Sequence, residues 1–147
     1  MPPLIRRYIK TSFAFLLAGL LIGAYIVIAQ FVLDAYPPRL LIAAHAHLLL
    51  VGFMLLMVMG VATWMFPRPA RDDRRYRPEL AEAVYWVMTA STAIRAGGEI
   101  SVGLAGALGL RWLIALGGLG QLAGTALFVL NMWWRVRMPP GAAPPAR

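Results

Sequence analysis

The chain contains no cysteine. Its absence excludes disulfides, thiolate metal ligands, iron–sulfur clusters and covalent c-type haem attachment. Histidine is nearly as scarce: 147 residues include two, His45 and His47. Acidic residues are also few, six Asp and Glu against 14 Lys and Arg. Nucleophilic catalysis lacks its parts, because no serine or threonine is placed beside a histidine with a third orienting group. No internal repeat is evident, and the length suits one domain.

What the sequence has in excess is apolar surface. Hydrophobic residues make up 61% of it, well above the roughly 45–50% typical of soluble domains. A soluble core could not use so much, whereas a bilayer can. The net charge of +8 would suit nucleic acid, but the basic residues gather in short flanks between apolar runs. That distribution is one of membrane topology, with the lipid bilayer rather than nucleic acid as partner.

The runs predict an all-α membrane protein with four transmembrane helices, at about 8–33, 40–66, 83–105 and 110–134, each longer than the roughly 20 residues needed to cross a bilayer. The first is too long for a cleaved signal peptide. Short connections such as "DAYPPR" (34–39) favour antiparallel neighbours and an up-down bundle. Residues 1–138 form the expected domain, and the proline-rich tail 139–147 is expected to be disordered.

Arg6, Arg7 and Lys10 precede the first helix. Arg68, Arg71, Arg74, Arg75 and Arg77 fill the loop between the second and third, and Arg135, Arg137 and Arg147 follow the fourth. The opposite side holds only Arg39 and Arg111. The positive-inside rule then makes both termini cytoplasmic in a multi-pass protein of a bacterial-type inner membrane. Gly19 and Gly23, with Gly117, Gly120 and Gly124, are read as small residues that let helices approach closely.

Four ionisable residues fall inside the spans: His45, His47, Arg95 and Glu99. Such residues are costly in lipid and need a partner or a task. Arg95 and Glu99, four apart on a helix, make an ion pair that could simply lock the bundle. Glu99 lies about 9 Å below the outer end of its helix, the depth of His45 below Arg39. A carboxylate there could accept the free ring N–H of a ligating histidine; Arg95 could balance a buried carboxylate or a haem propionate.

The bland account of the histidines is two imidazoles hydrogen-bonded within the bundle. Two residues at i and i+2 point about 200° apart, however, so they cannot face one interior together. A cofactor site, haem in particular, accounts for both. Copper is the rival, since Met54, Met57, Met59 and Met65 follow on the same helix and thioethers suit the monovalent ion. Those methionines spread over several faces, as ordinary packing residues do.

The stretch "RLLIAAHAHLLLVGFMLLMVMGVATWMFPR" (39–68) resembles the second transmembrane helix of the catalytic subunit of haem–copper oxidases and nitric oxide reductases. "FAFLLAGLLIGAYIVIAQFVLDAYP" (13–37) is similar to that family's first helix. The resemblance covers about residues 10–70 and implies that His45 is an axial ligand of a low-spin haem; His47 matches no family ligand. The family takes its remaining ligands from histidines on later helices, and this sequence has no third histidine. The expectation is therefore that no binuclear haem–copper centre forms, and no independent catalysis.

The resulting expectation is a b-type cytochrome that transfers electrons, its haem iron held by His45 and His47, with Arg39 and Arg111 facing the propionates. Two ligands on one helix cannot clamp a porphyrin from both faces. A homodimer, two-fold symmetric about the membrane normal, would bring His45 of one copy beside His47 of the other and hold two haem b groups. Alternatives of other classes are a non-redox accessory or assembly subunit, a haem-based gas sensor and a haem carrier.

Overall fold

The computed structural model describes residues 1–66 and 77–137; the arginine-rich stretch 68–75 and the tail 139–147 lie outside them. The described residues are helical and contain no strand. The first helix spans Pro3–Phe31. The second runs continuously over Arg39–Met65, the third over Pro78–Ala105 and the fourth over Arg111–Trp133. The first and third begin five residues earlier than the apolar runs suggest. Proline sits in the first turn of each, where its missing N–H has no intrahelical partner to lose, so each helix extends through a polar turn that hydropathy does not mark. The third ends at Gly106, which takes φ 62°, the left-handed conformation in which glycine avoids the Cβ clash.

Three helices are long and apolar enough to cross a membrane: Pro3–Phe31, Arg39–Met65 and Leu108–Trp133, the last including a short 3₁₀ turn. Pro78–Ala105 matches them in length but not in mean hydropathy, because it carries Arg95, Glu99 and several hydroxyl and glycine residues.

Consecutive helices are antiparallel neighbours. Along the first pair, Tyr8 covers Gly60, Phe15 covers Gly52 and His45 covers Gly23. The second helix packs on the first and third, and the fourth packs almost wholly on the third. The order is therefore a row, 1-2-3-4, and the first and fourth helices do not close it as an up-down bundle would. The first and third converge at one end only. There Arg7 pairs with Glu82 at 3.0 Å, and the Tyr8 and Tyr85 rings meet edge to face at 5.0 Å. Tyr8, Leu56, Met59, Val84, Tyr85 and Met88 form the core at this end. At the other end the same two helices splay, leaving an apolar groove of about 350 Å³ lined by Leu21, Ile22, Tyr25, Leu41, Ile100 and Leu104.

Arg135, read from sequence as a topology marker, folds back and is buried. Its Nη2 donates to the carbonyls of Thr63, at 2.8 Å, and Phe66, at 2.7 Å, satisfying acceptors that the end of the second helix leaves open.

Candidate functional site

Leu41, Ala44 and Leu48 turn inward, whereas Ile42, Leu50, Met54 and Val58 remain exposed. One residue advances the helix by about 100°. His45 and His47 therefore fall on opposite borders of the exposed face, each turned toward a different neighbouring helix.

His45 reaches the first helix. Its Nδ1 lies 2.8 Å from the Gly19 carbonyl oxygen. A carbonyl can only accept, so Nδ1 carries the proton, and in the neutral ring Nε2 is the bare nitrogen. The ring fits because residue 23 has no side chain: a Cβ there would stand 2.6 Å from His45 Cε1 and 2.9 Å from Nδ1. Gly19 and Gly23 do permit close approach, as expected, but Gly23 also makes the space that seats a histidine.

His47 reaches the third helix. Its Nδ1 is 3.0 Å from Glu99 Oε2 and 2.9 Å from Oε1. An ionised carboxylate is also acceptor-only, so this ring too holds its proton on Nδ1. The sequence placed Glu99 at the depth of His45, but the structure joins it to His47. The discrepancy in depth is only about 3 Å, two residues of helical rise; rotation of the second helix about its axis decides the partner. Nε2 of neither histidine has a hydrogen-bond partner among the described residues.

Glu99 is almost fully buried, with 2% of its side chain exposed. It takes a second bond from Arg95 Nε at 3.2 Å, so the i,i+4 ion pair is present. Arg95 Nη1 donates to Gln121 Oε1 of the fourth helix at 2.9 Å. Gln121 Nε2 in turn donates to Thr92 Oγ1 at 3.2 Å. The polar chain thus runs Thr92–Gln121–Arg95–Glu99–His47 across three helices. The helix axes come close enough because a Cβ on Gly117 would be 2.5 Å from Arg95 Cβ. The sequence reading missed Gln121 and Thr92. The available signal was Gln121 itself, an amide in an apolar run.

Arg39 and Arg111 sit at the helix ends nearest the histidines, and both are exposed. Neither joins the network. The methionines do not form a copper-type cluster with the histidines: Met59 belongs to the core, Met54 and Met65 are exposed, and Met57 Sδ faces Ser12 Oγ at 3.8 Å. Among the described residues no group of three His, Cys, Asp or Glu side chains could hold a metal ion. Directly after His47 the backbone changes winding, with Leu48–Leu55 forming a π-helix. No proline lies within the second helix to cause this; π-helical turns inside α-helices are frequent at functional sites.

No family model matches this chain, and no solved structure matches it.

Proposed function

We propose that this protein is a multi-pass membrane cytochrome that binds haem b through His45 and His47 and passes electrons. The observation that carries the reading is the state of the two rings. Each has its Nδ1–H donated to a fixed acceptor, Gly19 O or Glu99, and each keeps Nε2 free. Ligating histidines use this arrangement, since the outer hydrogen bond fixes tautomer and ring orientation and raises the basicity of the ligand nitrogen. When bound, haem b supplies a one-electron iron couple. The chain's own residues hold the donors in place: Gly23 seats His45, and Glu99 orients His47.

In this reading all four helices cross the membrane, with both termini cytoplasmic and an inner-membrane location. The third helix is less apolar, but its 28 residues extend about 42 Å alongside two apolar neighbours. Its ions Arg95 and Glu99 are paired with each other, which lowers the cost of holding them in a span. Arg39 and Arg111, at the helix ends opposite Met65 and Pro78, are available to carboxylates at the membrane surface.

His45 and His47 face different helices, so one chain does not present them to a single porphyrin. Two copies joined along the exposed face of Ile42, Leu50, Met54 and Val58 would bring His45 of one chain and His47 of the other to the same flank. Two-fold symmetry repeats this on the other flank. The homodimer then holds two haems.

A second reading, a non-redox accessory subunit, is favoured by one observation: Thr92, Gln121, Arg95, Glu99 and His47 bond to one another in a continuous network across three helices. An absorption spectrum of the purified protein before and after dithionite separates the two. Sharp reduced bands of a low-spin b haem support the cytochrome. A high-spin spectrum that shifts with carbon monoxide points to a sensor or carrier with an open position, and a colourless protein from haem-replete cells removes haem altogether.

A further inference from the structure

We infer that Arg95 and Gln121 are positioning residues that hold Glu99 as the fixed acceptor of the His47 N–H, so that the fourth helix sets the tautomer of a ring on the second. The consequence for haem rests on the reading of His47 as a ligand; the consequence for the tautomer does not.

The geometry leads back one bond at a time. A neutral imidazole with no strong acceptor populates both tautomers, and a charged carboxylate at Nδ1 selects one. Glu99 can stay charged in an apolar span only with a counter-charge and donors beside it. Arg95 provides both through Nε at 3.2 Å. Arginine is long, however, and its free rotamers are many. Here 26% of its side chain is exposed, so burial alone does not hold it. Gln121 does, by accepting from Nη1 at 2.9 Å. A guanidinium has no acceptor, so the Gln121 amide oxygen must face it and the amide nitrogen must face away, where Thr92 Oγ1 receives it at 3.2 Å. Gln121 and Thr92 are both buried, so water does not compete for these bonds. Gly117 completes the design: its missing side chain admits the Arg95 backbone and brings Gln121, one turn further along, within reach.

A clasp that merely joined the third and fourth helices would leave His47 indifferent to Gln121, and this separates the two roles. The full chain, carrying ¹⁵N-histidine and produced under haem limitation, is placed in lipid nanodiscs, and the ring nitrogen shifts are recorded. Wild-type His47 should show Nδ1 protonated and Nε2 bare. Gln121→Leu should raise the Nε2-protonated population of His47 several-fold while leaving His45, which has a separate acceptor, unchanged. Thr125→Val is the control, because it alters the same helix pair through the 3.9 Å contact of Thr125 Oγ1 with Met88 Sδ without touching the relay. Should Gln121→Leu fail to insert, Arg95→Lys keeps the charge but loses the fork between Glu99 and Gln121, and it should give the same shift.

An unchanged His47 tautomer in a folded variant overturns the inference, as does an equal effect from Thr125→Val. A tautomer that responds in a protein that never binds haem supports the relay and overturns the cytochrome. In haem-loaded protein, Gln121→Leu should also shift the low-spin electron paramagnetic resonance signal, with Arg95→Lys following it.

Discussion

His47 donates its Nδ1–H from the second helix to Glu99 of the third, with both carboxylate oxygens within 3.0 Å. The two residues are 52 positions apart, and one bond decides both the protonated nitrogen of the ring and one partner of a buried acid. Breaking it from either end should therefore have different consequences.

Glu99→Gln keeps the shape but removes the charge. We expect haem affinity to fall by about 10–100-fold, the usual effect of losing the outer partner of a metal-bound histidine. Arg95 would also lose its counter-ion. Glu79→Gln, at the exposed start of the third helix, is the comparison and should bind haem as the wild type does. Haem titration of both variants checks this, and equal affinities would show that Glu99 serves Arg95 alone.

His45→Ala removes a proposed ligand but only one side-chain hydrogen bond from the fold. Haem content per chain should drop to a small fraction of wild type while the chain still partitions into membranes. Pyridine haemochrome assay on membrane fractions measures both quantities, and full haem occupancy in the variant would end the case for His45.

Gly23→Ala tests the seat of His45. The new methyl would lie 2.6 Å from Cε1, so the ring must leave the Gly19 carbonyl or the two helices must part. Overpacking of this kind costs about 1–3 kcal/mol, and the low-spin haem signal should weaken with it. Gly97→Ala meets nothing within 4 Å and should be neutral or stabilising by up to about 1 kcal/mol. Thermal melts in detergent, read beside the visible spectrum, separate the pair.

The shared-ligand dimer makes its own demand. His45→Ala and His47→Ala should each abolish the bis-histidine haem in homodimers. Co-expressed with different tags, they form a mixed dimer in which one flank lacks both ligands and the other has both. One normal haem per mixed dimer should return, seen in the spectrum of doubly purified material. No recovery, or normal haem in His47→Ala alone, would sink the model.

Composition and charge pattern alone determine the all-helical class and the long apolar segments, because lipid requires each helix to satisfy its own backbone within the segment. Helical geometry alone also separates His45 from His47, since two residues of an α-helix span about 200° whatever surrounds them. Depth was equally legible: counting from Arg39 and from the end of the third helix brings Glu99 to the level of the histidines. Which histidine it meets was not. That choice depends on the rotation of the second helix between its neighbours, where Phe15 packs on Gly52 and Tyr8 on Gly60. The same is true of Gln121, whose task exists only because Gly117 lets the fourth helix approach Arg95. Pattern within a helix fixes the direction of each side chain relative to its own axis; only the packed tertiary structure turns those directions into pairs.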